Sequence, residues 1–191
     1  IQLAMQAKVW DSKNGIHLLI PRWGVEEKIQ KGANHRYSIY QSLDLILETL
    51  ALNDESMKIE VFPNVPRAMG LGGSAALAVA IIRALDEHFK LHLGEQEVYE
   101  LSYESEKIAH GNPSGIDNTL ATYGEFILFK RGKPPFMKEL NVPEPIKIVI
   151  GLTGVESLTA KMVAKVRNAW ENNRNHYEKI FDQINDLAIE S

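Results

Sequence analysis

The sequence predicts a mixed α+β protein. Short apolar runs of strand length are interspersed with longer stretches whose apolar residues recur at helical spacing, and loops containing Gly and Pro separate them. There is no fixed-period repeat and no low-complexity tract.

The elements follow in order. Residues 5–10 and 16–20 are apolar runs on either side of Asp11-Ser12-Lys13-Asn14-Gly15, which has turn composition, so a β-hairpin is expected. Tyr37, Tyr40, Leu43, Leu47 and Leu50 place a helix within residues 35–52. Residues 58–62 alternate, with Ile59 and Val61 on one side, and read as a strand. A Pro/Gly-rich loop over 63–74 leads into a strongly helical run over 75–88. A second amphipathic helix is expected over 95–109, with Val98, Leu101, Ser105 and Ile108 inward. A turn over 110–117 precedes a strand within 124–130. Residues 132–145 are proline-dense and read as a connector, 147–151 as a short apolar strand, and the chain is helical from Thr159 with a break near 172–175. The connector divides the chain into an expected first domain, 1–140, and a second unit, 146–191, too small to bury a core of its own.

Composition narrows the function. Hydrophobic residues at 45% and charged residues at 24% suit a packed globular protein rather than a disordered one. A net charge of −4 without a basic run argues against nucleic acid or an anionic membrane as the main partner. The chain has no Cys, which removes disulfides and thiolate chemistry and fits a cytoplasmic setting. No apolar stretch reaches the roughly 18 residues of a membrane helix.

Two motifs carry chemistry. Gly70-Leu71-Gly72-Gly73-Ser74-Ala75-Ala76 joins a strand to a helix. Its glycines permit a sharp turn and close approach of a ligand, and the helix aims free N–H groups and its positive dipole end at the loop. Such a loop suits phosphate oxygens, and equally a tight turn in which Ser74 caps the helix. It has neither the Lys-Ser/Thr of a Walker loop nor the spacing of a dinucleotide fingerprint. The other motif is His110-Gly111-Asn112-Pro113-Ser114-Gly115-Ile116-Asp117-Asn118. Glu106 and His110 are four residues apart on one helical face, and the turn then presents Asp117. Two carboxylates near a phosphate loop are what phosphoryl transfer requires, one to meet Mg²⁺ and one to meet the attacking hydroxyl. Read separately, Glu106 is also compatible with a solvated helix face and Asp117 with a cap.

Together, in this order and spacing, the motifs resemble those of the GHMP kinases, and the stretch from His110 to Asn118 is similar specifically to the mevalonate kinase branch. The resemblance covers about residues 1–185. It implies the GHMP kinase fold, an N-terminal α+β domain resembling part of a ribosomal protein followed by the start of a ferredoxin-like domain. It implies ATP and Mg²⁺, with mevalonate as the small-molecule substrate and its primary hydroxyl as acceptor, in isoprenoid precursor synthesis, and leaves open another GHMP small-molecule kinase or a non-catalytic GHMP-fold binding domain, within a longer fused chain; a homo-oligomer is compatible with it. By match to the family's motifs, Gly70, Leu71, Gly72, Gly73, Ser74 and Ala75 would hold the nucleotide, and Ser74 and Glu106 the metal. Asp117 would be catalytic and Thr159 would support it; His110, Ser114, Gly115 and Thr159 would line the acceptor side. This sequence departs from the pattern at Gly73, where a serine is common, and at Ser157, where animal-type members can carry a substrate-binding arginine. The family's first motif, with its catalytic lysine, and its third glycine-rich motif have no counterpart; Lys8 does not match. The expectation is therefore a fragment, lacking the first strands of its N-terminal domain and inactive alone.

Overall fold

The computed structural model describes residues 4–29, 38–67, 69–132, 135–144, 147–152 and 159–190. Its first layer is a four-stranded sheet of β1 (Met5–Asp11), β2 (Ile16–Ile20), β3 (Val25–Ile29) and β4 (Met57–Pro63), in the order β1-β4-β2-β3. The two runs expected to form a hairpin are both strands, but they do not pair. β4 lies between them, antiparallel to β1 with Val9 opposite Ile59, and parallel to β2 with Leu18 opposite Ile59. The turn between β1 and β2 spans the width of one strand, and Met57 N–H donates to Gly15 O at its base. The reason is burial. β4 turns Met57, Ile59 and Val61 fully inward, so the central slot covers it better than an edge would. The hairpin is instead formed by β2 and β3, with Ile16 opposite Ile29.

Helices α1 (Ser38–Thr49), α2 (Gly73–Phe89), α3 (Glu95–His110) and α4 (Ile116–Tyr123) form the second layer. α2 is the hub and meets β1, β4, α3 and α4. Its inward side chains Leu77, Val79, Ile81, Ile82 and Leu85 join Leu18, Ile59, Leu43, Leu47, Val98 and Leu101 in one core. α3 starts at Gly94, whose N–H donates to Glu97 at 2.8 Å, a capping interaction that fixes its first turn.

α4 is a helix that the sequence pattern does not predict. Beyond it, β5 (Ile127–Lys130), within the strand expected over 124–130, pairs with β6 (Phe136–Glu139), a strand inside the segment read as a connector. Residues 147–152, expected as a strand, are irregular and exposed, with Val149 97% accessible; no described strand pairs with them. α5 (Thr159–Asn172) and α6 (Arg174–Glu190) form a helical pair broken at Asn173, within the Asn-rich stretch where a break is expected. None of the described helices is long and apolar enough to cross a membrane.

Candidate active site

The loop before α2 bends through Gly70 and Gly72, at φ of +74° and +63°. Both angles lie in the left-handed region that favours glycine. Gly72 is the N-cap, and no side chain caps the helix. Ser74 is therefore not the cap but the second helical residue, exposed, and its Oγ lies 3.1 Å from Nε2 of His110. Ala75 is buried, while Leu71 and Gly73 are half-buried at the lip. The result is a first helical turn whose N–H groups and dipole end face the loop free of side-chain competition, an arrangement suited to an anion.

The last turn of α3 comes up beside it. Glu106 is 5% exposed, and its Oε2 stands 3.3 Å from His110 Nε2. Burial pushes its carboxyl above the usual carboxylate range; hydrogen bonding from Ser74 and the nearby His110 pull it down, and the charge of Asp117 adds to the rise. A solvated helix face does not describe this residue. Gly111, at φ +71°, closes α3 with its N–H donated to Lys107 O at 2.8 Å, making His110 the last helical residue.

The chain then turns back through Pro113 and Gly115. Tyr103 Oη donates to Pro113 O at 3.4 Å, and the Ile116 N–H donates to Ser114 Oγ at 3.3 Å. Gly115 is at φ +91°, and a Cβ there would stand 3.2 Å from Tyr99 Oη and 3.3 Å from Tyr103, so both conformation and space require glycine. Gly115 is the N-cap of α4 and Asp117 sits in its first turn, exposed, where the dipole favours its charge. A Cβ built on Gly72 would meet the Asp117 carboxylate at 3.5 Å, so this carboxylate lies directly over the glycine loop.

A set of buried polar residues holds α4 in place, and sequence reasoning does not find it. Asn118 Nδ2 donates to Ser102 Oγ at 3.3 Å, Thr119 Oγ1 to Gly115 O at 2.8 Å, and Arg83 Nη2 to Thr122 O at 2.9 Å. The available signal is Ser102, a small polar residue beside Leu101 on the buried face of α3, which also carries Ser105 and Glu106.

The structure thus brings Gly70–Ala75, Ser74, Glu106, His110 and Asp117 to one place, with Ser114 and Gly115 on the turn beside them. Thr159 opens α5, but its side chain and residues 153–158 lie outside the described residues. Among the described residues no group of three or more His, Cys, Asp or Glu could hold a metal. One buried carboxylate beside one hydroxyl is an oxygen donor pair that fits Mg²⁺ carried in on phosphates, and not a dedicated protein cage.

Residues 38–125, the helices and turns just described, match the model of the GHMP kinases N terminal domain. The chain belongs to the GHMP kinases. It is 32% identical over 133 residues to a mevalonate kinase of Pyrococcus furiosus, an alignment covering 70% of this chain and 39% of that protein. The chain therefore matches about two fifths of the length of this relative. Among solved structures, a mevalonate kinase of L. major in complex with R-mevalonate superposes over 94% of this chain and 55% of its own, with TM-score 0.67 and 26% identity. A Lin0012 protein from Listeria innocua shares the fold at TM-score 0.74 and 19% identity, over 95% of this chain and 61% of its own. The sheet with its helical layer is accordingly the GHMP kinase fold, as the motifs implied.

Proposed function

We propose that the chain is part of an ATP-dependent small-molecule kinase whose acceptor is the primary hydroxyl of mevalonate. The observation that carries this reading is the meeting, at the uncapped start of α2, of a buried carboxylate from α3 and an exposed one from α4. The choice of mevalonate is supported by the similar mevalonate kinase of Pyrococcus furiosus and by the similar mevalonate kinase structure in complex with R-mevalonate. The loop residues Gly70 to Ala75 hold phosphate oxygens through backbone N–H groups. Ser74 and Glu106 would hold Mg²⁺, which when bound neutralises charge on the phosphates.

Asp117 meets the acceptor. The alcohol oxygen forms a bond to the γ-phosphorus, the bond from that phosphorus to the ADP oxygen breaks, and the hydroxyl proton passes to the Asp117 carboxylate. Its exposed position over the glycine loop supports this role. Ser114 and Gly115 shape the acceptor side of the turn, and Thr159 supports Asp117 from the second unit. Residues 1–140 form the nucleotide-binding domain in this reading and 146–191 begin another.

The test is ADP release by the full-length protein across mevalonate, homoserine, phosphomevalonate and simple sugars. The expected result is the highest kcat/KM for mevalonate. A preference of more than about tenfold for another alcohol, over about 1.4 kcal/mol, would replace the substrate; ADP release indifferent to every alcohol would remove the kinase reading.

A further inference from the structure

We propose that His110 is a positioning residue that stands in for the cation, its Nε2–H holding Ser74 and Glu106 together in the metal-free site and yielding them when metal and nucleotide arrive. The inference rests on the reading of Ser74 and Glu106 as magnesium ligands.

The geometry begins with Nε2. It lies 3.1 Å from Ser74 Oγ and 3.3 Å from Glu106 Oε2, so one ring nitrogen faces both candidate ligands. A carboxylate oxygen only accepts, and a bare Nε2 lone pair pointed at it would be repulsive; the proton therefore sits on Nε2. The other ring nitrogen, Nδ1, is buried without a partner among the described residues, which agrees with a proton placed elsewhere, since a buried unpaired N–H is the costlier orphan.

Glu106 explains why such a donor is needed. A carboxylate only 5% exposed must have its charge met by hydrogen bonds or a cation. Ser74 contributes one donor and His110 another, with the positive end of its N–H dipole directed at the carboxylate where cation charge would act. The arrangement also joins two elements. His110 and Glu106 lie one turn apart on α3, whereas Ser74 is 36 residues away on α2. The Ser74–His110 bond thus ties the start of α2 to the end of α3, and Gly111 stops the helix so that His110 cannot shift along it. A side chain that serves the metal-free state and is partly relieved of that duty in the loaded state stabilises the first more than the second. Its removal must therefore widen the stability gap between them.

Thermal unfolding of the full-length protein with ADP, with and without MgCl₂, tests this on wild type, His110→Leu and His110→Gln. His110→Leu should lower the metal-free Tm by on the order of 3–8 °C and enlarge the Mg²⁺-dependent upward shift by a similar amount. His110→Gln, whose amide N–H reaches a similar point, should restore most of both. Equal lowering of both states in His110→Leu, or no change in either, overturns the stand-in role while wild type keeps its Mg²⁺ shift. A wild type with no Mg²⁺-dependent shift removes the magnesium reading instead, and the inference with it. Should His110→Leu fail to fold, His110→Asn, too short to reach both oxygens, serves in the same comparison with the same expectations.

Discussion

Two helical regions of this chain read alike in sequence and behave differently in the fold. α2 and α3 carry apolar stripes that meet the sheet and each other, and residues such as Ile82, Leu85 and Val98 are wholly buried. α5 and α6 carry stripes of comparable regularity, yet α6 has no buried residue and no described side chain of α5 is buried. The pair is held by local contacts: Trp170 Nε1 donates to Glu178 at 2.7 Å, and Arg174 lies over the Trp170 ring at 4.6 Å. Met162, Val163, Val166 and Phe181 line an open apolar cleft of about 550 Å³ between the helices. Amphipathic periodicity specifies a helix, but stability comes from the surface against which its stripe closes. The candidate site sits where that closure is complete, and its carboxylates owe their positions to it.

The largest effect separating the two regions should come from Asp117, which the packed region presents in the first turn of α4. Asp117→Asn keeps size and removes the charge. With the full-length protein, kcat should fall by about 10²–10⁴ while the KM for ATP stays within roughly twofold, since in the proposed function the group faces the acceptor. Near-normal kcat would reduce Asp117 to a favourable charge in the first turn of α4.

Next comes the core beneath it. Leu85 is fully buried on α2, and Leu85→Ala should cost about 2–5 kcal/mol in denaturant unfolding. A loss below about 1 kcal/mol, short of the usual core deletion, would mean that α2 is not the hub that the structure makes it.

Glu106 gives a smaller, pH-dependent effect. Its folded pKa is raised, so between the ordinary Glu range and that raised value the native state binds more proton than the unfolded one. Stability of the metal-free protein from this group should therefore fall as pH rises through that window. Glu106→Gln should flatten that limb and at the same time weaken Mg²⁺-dependent nucleotide binding. A variant whose urea midpoint keeps the same pH slope would show that Glu106 is not the group titrating there.

Much of this is legible in the sequence. Helical spacing locates α1, α2, α3, α5 and α6 within a few residues, and the two glycine-containing motifs point to Ser74, Glu106, His110 and Asp117 without showing that they meet. What escapes is non-local. The hairpin expected from residues 5–20 is split by β4, because the competition for the central position is settled by burial about 40 residues downstream. α4 escapes because its eight residues include buried Asn118 and Thr119, whose side-chain partners lie on α3 and in the preceding turn, and buried Thr122, whose backbone oxygen accepts from Arg83 on α2. Whether Ser74 caps α2 also needs coordinates, since it depends on Gly72 taking the N-cap position through its left-handed backbone.

The smallest effect is expected at Leu187, on the outer part of α6 and 67% exposed. Leu187→Ala removes a side chain that few atoms contact, and Ala is the better helix former, so two small effects oppose each other. The change in unfolding free energy should stay within about 0.5 kcal/mol. Here the comparison between the two regions can be broken. If the same substitution in the full-length protein costs about 2 kcal/mol or more, the magnitude of a core deletion, then Leu187 is covered there by a surface the described residues do not supply. The proposed division of the chain at 132–145 would then separate two domains that are both closed, rather than a closed one and an open helical pair. No measurable change in the full-length protein would leave α6 as a solvent-facing helix, and the open stripe as a property of the molecule itself.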